Sequence, residues 1–376
     1  HKRKKIVSAI DLFTAFLQER KDTGRIYLMN VDHSNTHGAF KEKTTPIRMT
    51  NLCVEVQLPT KPLNDINDEE GEIALCILSA INWGKIREPK DFERPCTLAV
   101  RGLDALIENQ HYPIKAAENF AKNRRAIGIG IINLANWLAK NDIPYQEVTK
   151  EELAKFHEFT EAWSYYLIKA SVDLAKEFGP CPWNKDTKYS DGILPIDTYK
   201  KEVDELVEPV YHMNWENLRK DLKEFGIRNS TLMAQMPAES SAQISNSTNG
   251  IEPPRSSVSI KQSKDGVLKQ VIPDYRRLKN KYDLLWDQRD PKGYLSICAV
   301  LQKFIDQSIS VNTSYNPIFF EDDKIPMSEL FKDLLFSYKY GLKTLYYCNT
   351  NDNAGEANIS NKYTGNTEED CDSCKI

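Results

Sequence analysis

Two thiols close the sequence as Cys371-Asp372-Ser373-Cys374. Two intervening residues let such a pair reach disulfide geometry locally. On a flexible tether the pair can move between sites and exchange disulfides. A zinc site usually takes four ligands, and the sequence has no second CxxC. The plain alternative is a pair of incidental surface thiols. Three flanking acids, Glu368, Glu369 and Asp370, should hold the thiols protonated, which suits an assisted reductant better than a fast nucleophile. A second cluster is Asn51-Leu52-Cys53-Val54-Glu55. An extended strand would turn residues 51, 53 and 55 to one face, where an amide, a thiol and a carboxylate converge. An inward carboxylate is costly unless it has a partner or a task. A buried cysteine beside two chance polar residues is the competing explanation.

Other residues carry weaker signals. Cys76 sits in the apolar run ALCILS, where cysteine is commonly a small core residue. Cys96, Cys181, Cys298 and Cys348 have no chemistry-bearing neighbours and are expected to be packing residues. Pro237-Ala238-Glu239-Ser240-Ser241 follows an apolar stretch and precedes a helix start. Backbone N–H groups there, with serine hydroxyls, would cradle a phosphate, whereas Ser240 or Ser241 as an ordinary cap needs no ligand. Tyr346-Tyr347 lies in a strand-like stretch, where neighbours face opposite sides. A redox relay needs the rings stacked and therefore a non-strand backbone. His33 and His37 are four apart, but Asp32, Ser34, Asn35 and Gly38 favour a turn that would not align them. No metal site is expected.

The elements that must position these groups follow from periodicity. Residues 7–18 read as an amphipathic helix on Ile6, Ile10, Phe13 and Leu17, with no cap or domain closure in front of it, as in one piece of a larger fold. Strands are expected at 25–31, 51–58, 125–133, 231–236, 309–312 and 343–348. Helices are expected at 102–110, 116–123, 135–140, 151–178, 215–225, from 239, at 274–287, 295–306 and 327–340, and 70–84 reads as helical or loop. Alternation around Asp265-Gly266 within 256–271 signals a hairpin. Strands alternating with helices argue for an α/β fold with a largely parallel sheet, possible in barrel form. From residue 349 the chain turns polar and is expected to be a mobile tail. The chain has 376 residues, net charge −4 and 40% apolar residues, enough for a large core. Such mild acidity gives no pull toward nucleic acid or membrane. With no long apolar run and no secretory leader pattern, a cytoplasmic location is expected, where cysteines stay largely reduced.

Taken together and in order, these motifs resemble one family. NLCVEVQLPT, GEIALCILSAINWG, MPAESSAQISNSTNGIEPPR, LYYCNT and CDSCKI resemble segments of class I ribonucleotide reductase large subunits, closest to the bacterial and bacteriophage type. The resemblance runs from about residue 25 to the end and matches the C-terminal half of such a subunit. It implies part of a ten-stranded α/β barrel with an active-site finger loop (1–255), further barrel elements and a small α/β subdomain (256–348), and a flexible redox tail (349–376). It implies that Cys53 becomes a thiyl radical, Glu55 acts as general base, Asn51 orients the ribose, and Cys76 is one of two reducing thiols. It further implies that Pro237, Ala238, Glu239, Ser240 and Ser241 hold the diphosphate of a ribonucleoside diphosphate, Tyr346 and Tyr347 carry the radical, and Cys371 and Cys374 shuttle electrons. The implied partners are an N-terminal large-subunit half, a small subunit supplying a di-iron/tyrosyl radical, and thioredoxin or glutaredoxin. No cofactor is implied on this chain; nucleotide effectors would bind the N-terminal portion. The family's other reducing cysteine has no motif-matched counterpart here, and Cys96 and Cys181 lack the matching context. Ala238 stands where relatives often have serine. Two rival expectations are a cobalamin-dependent reductase, against which the tyrosine pair argues, and a non-catalytic fragment that only binds the small subunit.

Overall fold

The computed structural model describes residue 4, residues 6–263 and residues 266–351. Cys371, Cys374 and nearly all of the expected tail lie outside the described residues, as do Lys264 and Asp265.

The chain runs α1 (Ala9–Thr23), β1 (Leu28–Met29), α2 (Val31–Thr36), β2 (Leu78–Asn82), α3 (Glu93–Asn109), α4 (Lys115–Arg124), β3 (Gly128–Ile132), α5 (Leu134–Lys140), α6 (Lys150–Phe178), α7 (Pro195–Thr198) and α8 (Trp215–Phe225). It continues through α9 (Glu239–Ile244), β4 (Val258–Ser263), β5 (Gly266–Val271), α10 (Tyr275–Leu278), α11 (Lys292–Phe304), β6 (Thr313–Tyr315), α12 (Met327–Lys339), β7 (Thr344–Leu345) and β8 (Cys348–Thr350). The expected hairpin is present as β4 against β5, antiparallel.

α6 is the central helix. Thr149 and Glu152 form a reciprocal capping box at its start, and Gly179 followed by Pro180 ends it. Its buried face includes Phe156, Phe159, Trp163 and Leu167. Those rings meet Trp83, Phe92 and Trp137 in one aromatic layer, with Trp83 and Trp137 5.5 Å apart edge-on.

Parallel strand segments stand beside this layer. β2 pairs in parallel with β3, Ile129 bridges Met233, and Gln235 bridges Ile309, again in parallel. Two glycines set their closeness. A Cβ on Gly128 would sit 2.6 Å from the Leu78 side chain, and one on Gly130 would sit 2.8 Å from both the Ala234 carbonyl oxygen and the Met236 sulfur. The segments are tied below by Asp306, whose carboxylate accepts from the amides of Leu232 (2.8 Å) and Met233 (2.9 Å) and from the Tyr189 hydroxyl (3.0 Å). The buried Lys343 ammonium donates to the carbonyls of Ile305, Asp306 and Gln307.

Several expectations need correction. Of residues 70–84, expected as helical or loop, 70–77 are largely loop, 83–84 begin a short 3-10 helix, and 78–82 form β2 instead, because pairing with the buried β3 outweighs local preference. Residues 25–31, 231–236 and 309–312 contribute only β1 or single bridges, since side-chain and isolated backbone bonds replace a continuous ladder. Of 274–287 only α10 is α-helical. Residues 31–36 are a helix, not a turn. Ser34, Asn35 and Thr36 bond back to the carbonyls of Asn30, Val31 and Asp32, and Asn35 also bonds both backbone groups of Ile47. The rings of His33 and His37 consequently stack at 5.2 Å. Ser8 does cap α1, accepting from the Asp11 amide. Of its expected apolar face, Leu17 is buried while Ile6, Ile10 and Phe13 stay exposed. No helix among the described residues is long and apolar enough to cross a membrane.

Candidate active site

Asn51, Cys53 and Glu55 do converge, but not on a strand. Residues 52–54 form a turn, closed by the Val54 amide donating to the Asn51 carbonyl (3.2 Å). Val54 takes φ 63°, the left-handed region that β-branched residues avoid. Its side chain is buried, and packing holds it there. The turn directs the Asn51 amide to the Glu55 carboxylate (2.9 Å), while the Asn51 side-chain oxygen accepts from the Val56 amide (3.0 Å). The backbone carbonyl of Glu55 accepts from the Ser308 amide (3.0 Å), which docks the turn on the parallel segments.

Glu55 is only 2% exposed, and burial raises its carboxyl above the usual range despite the bonds from Asn51 and Ser310. The Ser310 hydroxyl lies 3.2 Å from that carboxylate and 2.5 Å from the Cys53 carbonyl, so its single proton serves one at a time. A buried carboxylate with this little support is suited to accept a proton. Cys53 is half-buried; burial first, then Glu55, raises its thiol, against a bond from Tyr346.

Cys76, 23 residues further on, joins the same group. Cys76 is exposed, with its thiol within electrostatic reach of Glu55 and Cys53 and within hydrogen-bonding reach of the Asn51 side chain. Partial burial, then Glu55 and Cys53, push it up to about 11, so it remains a protonated thiol near neutral pH. Cys96, Cys181, Cys298 and Cys348 are buried. Cys96 packs in the core with its thiol 3.9 Å from the Trp163 carbonyl, so neither it nor Cys181 sits at the solvent-facing site.

The tyrosines arrive from the far end of the chain. β7 stops at Leu345 and β8 starts at Cys348, so residues 346 and 347 fall between strands. Their rings lie 4.1 Å apart rather than on opposite faces. The Tyr346 hydroxyl donates to the Cys53 sulfur at 3.5 Å. Tyr346 is buried and Tyr347 partly exposed. A third ring, Tyr27, lies 4.6 Å from Tyr346 and 5.4 Å from Tyr347.

Pro237–Ser241 lies at the end of the segment that bridges β3. Ala238 is buried with Ile132, Met236 and Ala242, and Pro237, Glu239, Ser240 and Ser241 are exposed. Ser240 and Ser241 are inside α9, not its caps; the cap position is Ala238, which has no side-chain acceptor to offer. Asn133 holds the return of this loop, accepting from the Thr248 amide (3.0 Å) and donating to Asn82 (3.0 Å). Ser310, Tyr27, Arg20 and Asn312 were not singled out in the sequence. Ser310 was reachable from the alternation of 309–312; the other three carry no local signal.

A family model described as the ribonucleotide reductase barrel domain matches residues 1–281 and 272–348. The chain belongs to this family. It is similar to the ribonucleoside-diphosphate reductase subunit alpha of Haemophilus influenzae, 56% identical over 352 residues, covering 94% of this chain and 46% of that protein. The ribonucleoside-diphosphate reductase 1 subunit alpha of Escherichia coli is 54% identical over 355 residues, covering 94% and 46%. That of Enterobacteria phage T4 is 43% identical over 383 aligned positions, covering 100% and 49%. The chain thus spans about half the length of the relatives it matches. The family and the mixture of helices and parallel strand segments agree on an α/β fold. No group of three or more His, Cys, Asp or Glu suited to a metal ion occurs among the described residues.

Proposed function

We propose that this chain is the catalytic portion of a ribonucleoside-diphosphate reductase large subunit, and that it converts ribonucleoside to deoxyribonucleoside diphosphates by thiyl-radical chemistry. The observation that carries this reading is the Tyr346 hydroxyl on the Cys53 sulfur at 3.5 Å, with the Tyr347 ring packed against the Tyr346 ring at 4.1 Å and tilted by 50°. Rings in contact and a phenol–thiol contact suit hydrogen-atom transfer: a Tyr346 phenoxyl takes hydrogen from Cys53 and leaves a thiyl. The thiyl then removes the 3′ hydrogen of the substrate. Glu55 accepts the 3′-hydroxyl proton as general base, and Asn51 orients the ribose hydroxyls.

The 2′-hydroxyl leaves as water with a proton from one thiol, the 2′ carbon gains the hydrogen of the other, and Glu55 returns its proton to the 3′ oxygen. Cys76 supplies one of the two electrons, and a second cysteine outside this chain supplies the other as the two form a disulfide. Cys53 then returns its hydrogen to the 3′ carbon. The exposed Pro237–Ser241 turn is the proposed diphosphate seat, with the α9 amides toward the anion. Cys371 and Cys374 would re-reduce the disulfide and pass the electrons on from thioredoxin or glutaredoxin. A small subunit with a di-iron/tyrosyl centre would supply the initial one-electron oxidation. The remaining large-subunit half would complete a ten-stranded barrel, within which 51–55 of this chain would be the finger loop, and would carry nucleotide effectors. Work in the cytoplasm fits free thiols.

The test is deoxyribonucleotide formation by this chain assembled with that half, the small subunit and a dithiol. Tyr346→Phe is expected to abolish turnover, since phenylalanine is not oxidised at the same potential; sustained turnover would remove the tyrosine route. Replacing both Cys371 and Cys374 should spare turnover on a small dithiol and impair it on thioredoxin. Equal losses with both reductants would end the shuttle role.

A further inference from the structure

The backbone between β7 and β8 is bent, and the bend disrupts the ladder there. Thr313 still donates its amide to the Tyr347 carbonyl (2.9 Å), and the Tyr346 amide reaches the Val311 carbonyl (2.7 Å). The other groups go to side chains. The Tyr347 amide donates to the Asn312 side-chain oxygen (3.0 Å). The Tyr346 carbonyl accepts from Arg20 Nη1 (2.8 Å), and the Tyr347 carbonyl lies 3.4 Å from Arg20 Nη2. Arg20 also donates to the carbonyl of Ile26, the residue before Tyr27.

Arg20 sits near the end of α1, 326 residues from Tyr346, and is 3% exposed. Its nearest ionisable neighbours are Cys348, Tyr315 and Tyr27, and no carboxylate among the described residues is paired with it. A buried guanidinium held by carbonyls alone is costly. Its planar fork nevertheless suits several carbonyls at fixed angles. Two more contacts fix the end of α1 to the same place: the Cys348 amide donates to the Gly24 carbonyl (3.0 Å), and Gly24, at φ 68°, takes the left-handed cap.

We propose that Arg20 is a positioning residue for radical transfer, its guanidinium holding the bent 346–347 backbone so that both rings face one way and the Tyr346 hydroxyl reaches Cys53. This rests on the reading of Tyr346 and Tyr347 as a relay. Arg20→Lys keeps the charge but cannot span the three carbonyls. In the assembled reductase it is expected to lower kcat roughly tenfold or more, the scale of a small misplacement of reacting groups, with the KM for ribonucleoside diphosphate unchanged. With 3-aminotyrosine at position 346, the radical trapped there, read by electron paramagnetic resonance, should fall in step. Arg20→Met should lose more, and where it does not fold the lysine variant carries the test. Unchanged kcat in Arg20→Lys, or a parallel change in KM, kcat and melting temperature, overturns the proposal. Tyr346→Phe and Tyr347→Phe run alongside: if they keep full turnover the relay reading falls and Arg20 with it, whereas if they are inactive and Arg20→Lys is fully active, only the Arg20 proposal falls.

Discussion

Glu55 and Asp306 are both buried carboxylates, each 2% exposed, against the same bundle of parallel segments. Burial raises the pKa of both. Their surroundings differ. Asp306 accepts two backbone amides and a tyrosine hydroxyl, with the Lys343 charge nearby to offset it. Glu55 has the Asn51 amide, its own backbone N–H and a share in one hydroxyl, with thiols rather than an ammonium near it. A saturated carboxylate fixes strands, and a partly satisfied one keeps lone pairs for a substrate. Burial alone does not distinguish structure from chemistry; the donors free to serve the carboxylate and the charge set against it do.

That contrast can be broken in order of effect. Glu55→Gln should cost roughly 10²–10⁴-fold in kcat, the range for losing a general base, and leave the denaturant midpoint nearly unchanged. A base of the kind proposed for Glu55 would work ionised, so turnover should fall as pH drops through a value above the ordinary glutamate range, and this acidic limb should vanish in Glu55→Gln. A limb at the ordinary value would contradict the burial argument. Asp306→Asn should do the reverse. One strand amide would then face an NH₂ group, costing about 1–3 kcal/mol in chemical denaturation. Measured per folded molecule, substrate turnover should be nearly preserved, and a larger loss of turnover than of stability would erase the distinction. The smallest effect concerns Cys76. Its alkylation at pH 8, followed by peptide mass, should be slow and become a few-fold faster in Glu55→Gln, because one charge that keeps the thiol protonated is gone. No change would mean that burial acts alone.

The sequence made parts of this plain for identifiable reasons. α6 is long and well capped and β3 is a short, wholly buried apolar run, and both stand nearly where the pattern places them. The convergence of Asn51, Cys53 and Glu55 was legible, but for the wrong reason. A turn with Val54 in the left-handed region performs what alternation on a strand would also have performed. Nothing in NLCVEVQL signals that φ, because packing of the valine imposes it. The contact between the two tyrosine rings was legible only as a condition, a non-strand backbone at 346–347. The groups that meet that condition, Arg20 and Asn312, are distant in sequence and have no motif. The α2 helix was missed because Ser34, Asn35 and Thr36, read as turn formers, spend their side chains on the helix's own carbonyls. Family resemblance, by contrast, reached sites such as Cys76 that local patterning assigned to the core.

Gly128 and Gly130 bear on all of this from a distance. The strand beside them leads directly into Pro237–Ser241, and its approach to β3 stops where a side chain would begin. The spacing between that segment and β3 is thus gauged by atoms the protein lacks. A single methyl group on Gly130 would meet the Ala234 carbonyl oxygen and the Met236 sulfur, and the segment that carries Pro237–Ser241 would have to move away to admit it.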